Sequence, residues 1–224
     1  RALWREALLS AVMLVSGVAV ACWLYAMDAD WYFAFVPRQY AQGRDPTATA
    51  AALRDILYQH AHGGMLQVFA AFLFTHNAEI AVLAFALGFA FGVPTALLVF
   101  ANGCTLGAML ALYASHGLLL PLGGWLMIHG VTELSATVLA GAAGFRIGWS
   151  LAFPGERTRL EAAALAGRQA STLMAGVLVM LLVAGGLEGV GRQVITSDLA
   201  RYAIAGLSAV GWASYLYGPW SRRP

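Results

Sequence analysis

A chain that places a histidine and a glutamate inside a run long enough to cross a bilayer has few ways to fold. The run is Leu122 to Trp149, LGGWLMIHGVTELSATVLAGAAGFRIGW. A spanning helix needs about 20 mostly apolar residues, and Gly124 to Phe145 supplies them. His129 and Glu133 are four positions apart, so on a helix they share one face, a turn from each other. An acid at the centre of a spanning helix costs roughly 2.5–3.5 kcal/mol on insertion scales. The pair is therefore expected to face protein or a wet cavity and to have a partner. Such a chain is an integral membrane protein with a polar site inside it.

Composition agrees. Of the 224 residues only 11% are charged, against about 25% in a soluble domain, and the mean hydropathy is +0.72. The net charge of +2 is too small to suggest nucleic acid as a partner; the lipid bilayer is the partner implied. All the basic residues are arginine, which together with abundant Ala and Gly reads as the codon bias of a GC-rich genome. Cys22 and Cys104 lie in apolar stretches without C-x-x-C spacing, so neither a disulfide framework nor a metal site follows from them. No cofactor is expected. The first residue is Arg1 rather than Met, which predicts a further segment upstream.

The apolar runs predict an all-α integral membrane protein with about six transmembrane helices. The first is Ala7 to Met27, too long for the apolar core of a signal peptide. Ala19-Val20-Ala21-Cys22 is only a poor lipoprotein cleavage box. Residues 28–79 form an extracytoplasmic or interfacial helical segment between spans one and two. Trp31, Tyr32, Phe33 and Phe35 resemble an aromatic belt. Asp45-Pro46-Thr47 suggests a helix start, and Leu53, Ile56, Leu57 and His60 repeat as an amphipathic stripe that Gly63-Gly64 ends. Met65 to Thr75 covers only about 16 Å of helix, so it is expected to be half-inserted and to stop at His76-Asn77-Ala78-Glu79.

A bundle of five helices is then expected over 80–218: Ile80 to Phe100, Gly103 to Leu120 beyond a hinge at Asn102, the organising helix, Ala170 to Leu187, and Tyr202 to Tyr217. Residues 146–168 and 188–201 read as polar connections, and 219–224 as a cytoplasmic tail. Arginine is concentrated at the two ends and in 146–168. By the positive-inside rule this puts both ends in the cytoplasm, with 28–79 and 188–201 outside.

In that topology the intramembrane polar residues gather towards the outer side: His76, Asn77 and Glu79, then His129 and Glu133, then Glu188. Asn102 and Arg146 are left on the inner side. Three chemistries fit such a set. The pair can be hydrogen-bonded glue between helices. It can mark a proton or ion path, as intramembrane ionisable groups do. More remotely, it can belong to an intramembrane metallohydrolase. The zincin pattern, however, has two histidines flanking one helical turn, so His76 or His116 would have to complete the ligand set. No nucleophile elbow and no phosphate-binding loop is present, and no catalytic residue and no metal ligand is assigned. A different signal is Gly88-x-x-x-Gly92, Gly103-x-x-x-Gly107, Gly144-x-x-x-Gly148 and Gly185-x-x-x-Gly189, small-x-x-x-small patterns that let helix backbones approach closely in lipid. They leave open whether a homo-oligomer forms.

Several of these residues occur in a familiar order. Thr75-His76-Asn77-Ala78-Glu79-Ile80-Ala81-Val82 is followed by Ala84 to Gly88, Phe91-Gly92 and Asn102-Gly103-Cys104-Thr105-Leu106-Gly107. Then come His129-Gly130-Val131-Thr132-Glu133-Leu134-Ser135-Ala136, Ala140 to Gly144, Gly148-Trp149, Pro154-Gly155 and Glu188-Gly189. Over residues 66–190 this resembles the stage II sporulation protein M family, although His76-Asn77 stands where many relatives have two asparagines. The resemblance implies a multi-pass protein of the bacterial or archaeal cytoplasmic membrane. It implies a non-enzymatic scaffold or docking protein of the cell envelope. Its implied partners are peptidoglycan-degrading enzymes, MoxR-type ATPases or von Willebrand A-domain proteins. The alternative function is a channel or transporter, proton- or ion-coupled, that uses His129 and Glu133.

Overall fold

The computed structural model describes residues 3–41, 43–58, 65–191 and 194–218, with the side chains of 40, 65–74, 76 and 217 excepted. His60, His62, Gly63 and Gly64 lie outside the described residues, so the proposed end of the amphipathic stripe does too. Among the described residues every regular element is helical. Six helices are long: α1 (Trp4–Met27), α3 (Met65–Ala86), α4 (Val93–Ser115), α5 (Leu119–Ala152), α6 (Arg159–Gly186) and α7 (Asp198–Tyr217). A shorter α2 (Ala50–Tyr58) precedes α3. Among the described residues four stretches are long and apolar enough to cross a membrane: Trp4–Met27, Val93–Ser115, Leu119–Ala152 and Arg159–Gly191.

The helix boundaries correct the sequence reading in three places. Met65 to Thr75 is not a separate half-helix; it is the first half of α3, whose 22 residues span about 33 Å. His, Asn and Glu are all tolerated inside helices at small cost, so the polar run 76–79 does not end one. The expected boundary between 79 and 80 therefore falls within a helix. The expected span Ile80 to Phe100 is instead broken at 87–92. A 3-10 turn, Leu87–Phe89, leads to Phe91 and Gly92, both left-handed, with φ of 60° and 75°. Gly92 is the N-cap of α4 and Pro94 stands in its first turn, where a missing N–H costs nothing. Thr95 Oγ1 donates 2.8 Å to the carbonyl of Ala84, satisfying a group that the break frees. Finally, Asn102 is no hinge: it lies half-buried in the middle of α4, because no glycine or proline conformation interrupts the helix there.

Helix α1 lies parallel to α4. Gly17 faces the backbone of Phe100 and Cys104, Gly103 faces Leu14, and Gly107 faces Val18. A Cβ at any of the three would meet backbone. The 34-residue α5 runs antiparallel to both and touches most of the bundle. Gly144 abuts the Ala84 carbonyl and Thr95, Gly88 abuts Gly144, and Gly148 abuts the Phe91–Gly92 turn, where Gly92 meets the Phe145 ring. Helix α6 begins with a capping box, Thr158 Oγ1 accepting from the Glu161 N–H while Glu161 reaches back to the Thr158 N–H. The polar connection expected over 146–168 is thus reduced to 153–158.

Residues 28–58 fold over the end of the bundle away from the start of α1. Tyr32, Leu53 and Leu57 pack with Tyr113, Leu118, Leu122 and Trp125. Of the stripe read from the sequence, Leu53 and Leu57 form the buried face of α2, Ile56 is half-buried and His60 lies outside the described residues. That helix starts at Ala50, three residues beyond Thr47, with Thr49 Oγ1 accepting from the Ala52 N–H. Asp45 caps a preceding turn instead, accepting from both the N–H and the hydroxyl of Thr47. Those bonds hold the Asp45 carboxyl below the usual range.

Candidate functional site

Ten residues into α5, about 15 Å from its start, the helix delivers His129 into the bundle. Its Nε2 lies 3.8 Å from Glu133 Oε2, one turn on, and 3.7 Å from Glu188 Oε1. The three ligand-type atoms all lie within 4.8 Å of one another. The side chains of His129 and Glu188 are only 4% and 9% exposed, and that of Glu133 is 25% exposed. Glu188 reaches the cluster from the far end of α6, in a π-helical stretch, Leu187–Gly191. The wider turn shifts side chains out of α-helical register, and such bulges are frequent at functional sites.

The surroundings tie the cluster to both neighbouring layers. The Trp125 ring stands edge-on to His129 with ring centroids 6.3 Å apart. Above it the Arg44 guanidinium lies 5.7 Å from the Trp125 ring centroid. A column Arg44–Trp125–His129 thus leads from the segment that covers this end of the bundle to the centre. On the opposite side Trp212 Nε1 donates 2.9 Å to Thr132 Oγ1, fastening α7 to α5. Ser135 and Thr137 donate back to the carbonyls of Val131 and Glu133 on their own helix.

Two carboxylates face one imidazole. The cluster brings one imidazole and two carboxyl groups to one point, atoms that can take up a proton or ligate a metal cation.

Not every polar residue of the expected constellation takes part. Asn77 is half-buried and Glu79 exposed on α3, and neither belongs to the cluster. The side chain of His76 lies outside the described residues. His116 caps the end of α4, its Nδ1 2.9 Å from the Leu112 carbonyl and 3.1 Å from Ser115 Oγ, so it completes no ligand set with His129. Asn102 stays in α4, well away along the chain. Arg146, at the other end of α5, forms a 3.3 Å ion pair with Glu6 of α1. It borders a groove lined by Trp4, Phe145 and Trp149.

A second buried charge was not foreseen. Arg201, read from the sequence as a loop cation, lies in the first turn of α7 with its side chain 1% exposed. Its Nε donates 2.7 Å to the Ile195 carbonyl and its Nη2 3.1 Å to the Leu57 carbonyl, while Nη1 lies 3.5 Å from Asp198 Oδ1. Tyr58 OH donates 2.8 Å to the other Asp198 oxygen. This unit clasps α2 to α7. The i, i+3 spacing of Asp198 and Arg201 is the signal available in sequence, though a surface pair has the same spacing.

Comparison with known proteins places the whole arrangement. The model of the family described as stage II sporulation protein M matches residues 10–191, from the first turns of α1 to the end of the π-helical stretch that holds Glu188. No curated protein and no solved structure matches the chain. The match covers most of the molecule and contains all three members of the polar cluster, and the chain belongs to the stage II sporulation protein M family.

Proposed function

We propose that this protein is a non-enzymatic, multi-pass protein of the cytoplasmic membrane that carries a cation through, or holds it within, the bilayer at His129, Glu133 and Glu188. In this reading α1, α3, α4, α5, α6 and α7 all cross, and both ends are cytoplasmic. The arginines support that orientation: Arg5 and Arg146 gather at one end of the bundle with the 153–158 connection, as the positive-inside rule asks. The observation that carries the function is the meeting of one imidazole and two carboxyl groups, their ligand-type atoms within 4.8 Å of one another, in a largely enclosed place. Interhelical glue needs only neutral hydrogen-bonding groups; ionisable groups gathered inside a membrane mark proton and ion paths.

The test is flux into proteoliposomes that contain the purified chain and an entrapped fluorescent reporter of pH or of metal ions. Wild type is expected to equilibrate an imposed cation gradient faster than empty vesicles. Glu133→Gln and Glu188→Gln are expected to abolish the difference while eluting as folded protein on size exclusion. Unchanged flux in both variants overturns the reading. A docking scaffold is the second reading and rests on the family match. It predicts no flux at all and stable co-purification of envelope partners that tolerates both substitutions.

A further inference from the structure

We infer that the cation is a divalent transition-metal ion of the zinc class, bound by His129 Nε2, one oxygen of Glu133 and one oxygen of Glu188. This rests on the cation-handling reading above but is tested separately from it. Zinc sits about 2.0–2.2 Å from imidazole nitrogen and carboxylate oxygen. In a tetrahedron with such bonds, neighbouring donors lie about 3.4 Å apart. The observed separations of 3.8 and 3.7 Å from Nε2 to the two carboxylates are close to that edge, and all three atoms lie within 4.8 Å of one another. Rotation of the two flexible glutamate side chains closes the site.

The donor chemistry selects the metal. The set is one nitrogen, from an imidazole in whose neutral form histidine ligates, and two oxygens, which suits zinc and its first-row neighbours. Calcium takes six to eight oxygens and magnesium keeps an octahedral, largely hydrated shell, and neither need is met by these three atoms. Zinc sites that exchange a ligand use three protein ligands, as many as the described residues bring together here, whereas sites that only hold a fold together use four. Rigidity is supplied by the i, i+4 placement of His129 and Glu133 on one helix and by the Trp125 ring that packs against the imidazole.

The experiment uses the tag-free, full chain in detergent, stripped with a chelator and dialysed against metal-free buffer at pH 7. Cobalt(II) and zinc are titrated in competition with a chromophoric chelator, with magnesium as the contrast. Expected are one cobalt or zinc ion per chain, a visible cobalt spectrum of four- or five-coordinate intensity, and no competition by magnesium. Affinity is expected to fall in His129→Leu, Glu133→Gln and Glu188→Gln by more than the roughly 10–100-fold that loss of an outer-shell partner costs. The wild-type cobalt spectrum does not depend on any variant folding. An absent or weak octahedral spectrum, sub-stoichiometric binding, or equal affinity in all three variants overturns the inference. Glutamate-dependent proton flux without metal binding would overturn it too and leave the cation-handling reading standing. Stoichiometric metal binding without any flux would support the inference and sink transport.

Discussion

Two clusters of ionisable side chains lie towards the same end of the bundle, and they are built on different principles. Around Arg201 the groups clasp. One guanidinium meets one carboxylate, two backbone carbonyls and, through Asp198, the Tyr58 hydroxyl. Around His129 the groups converge, with Glu133 and Glu188 both facing a single imidazole. The first cluster ties backbone to side chain across two helices. The second gathers proton-accepting and metal-ligating atoms at one point. Burial alone therefore does not mark function, since Arg201 is buried more deeply than any member of the other cluster. The chemistry of the converging atoms does.

The largest effect is expected where the Arg201 clasp is broken. Arg201→Met removes the cation and leaves the Ile195 and Leu57 carbonyls without their donor. Asp198 is 39% exposed and can be solvated, so the loss comes mainly from those carbonyls, about 1–3 kcal/mol each. Thermal unfolding in detergent should show a large drop in midpoint and a loss of the clasp between α2 and α7. Glu188→Gln should change stability far less, because the amide keeps the shape and hydrogen-bonding capacity of the side chain. If the two variants are equally stable, the contrast between clasp and binding site is lost.

A packing variant calibrates that comparison. Gly144→Val places side-chain atoms against the Ala84 carbonyl and Thr95, where the obstacle is partly backbone and cannot rotate away. Overpacking of this kind typically costs about 1–3 kcal/mol. Gly176 on α6 has nothing within 4 Å of a Cβ, so Gly176→Val should be neutral or slightly stabilising, valine being the better helix former. Unfolding midpoints of the pair separate pure packing from charge.

The clasp also shows where sequence reading stops. Helical class, the face of α2 and the pairing of His129 with Glu133 are all periodicities, and a periodicity is local. So are the glycines at 88, 92, 103, 107, 144 and 148, all of which meet another helix closely, although 88 and 92 flank a break and do not lie within one span. That break was legible too. A left-handed glycine followed by a proline two residues on is a stop and a start, but it was overridden by the continuous apolar run from Ile80 to Phe100. Hydropathy reports the solvent and says nothing of whether the backbone turns. The contacts of Glu188 with His129, and of Arg201 with Leu57, join residues 59 and 144 positions apart. No local pattern encodes those distances.

Within the His129 cluster a double-mutant cycle measures how strongly the members feel each other. His129→Leu, Glu133→Leu and the double variant should be non-additive by about 0.5–3 kcal/mol, the range for groups in one polar network. Additive losses would mean that the 3.8 Å approach carries no energy. The cluster would then be a coincidence of placement.

Among the cluster variants the smallest effect is expected from Tyr58→Phe, and it probes the clasp from its neutral side. The substitution deletes one hydroxyl, which donates 2.8 Å to Asp198. A single hydrogen bond of this kind to a charged acceptor is worth about 1.5–3 kcal/mol at most and a neutral one about 0.5–1.5. Asp198 keeps Arg201, so the lower range is expected. The pH dependence distinguishes this loss from mere packing. Burial, and then the bond to Asp198, push the Tyr58 hydroxyl above its ordinary value. The folded protein therefore keeps this proton at pH values where the unfolded chain has released it. Its contribution is complete below the unfolded value, near 10, and is lost as pH rises through the higher folded one. Tyr32, pushed up to about 12 mainly by burial, adds a slope of the same sign that is common to both proteins. The difference in stability between wild type and Tyr58→Phe should thus be constant at neutral pH and shrink on the alkaline side. A difference that stays level through that window would show that the hydroxyl does not hold Asp198. The clasp would then reduce to Arg201 alone, with its neutral buttress removed from the comparison.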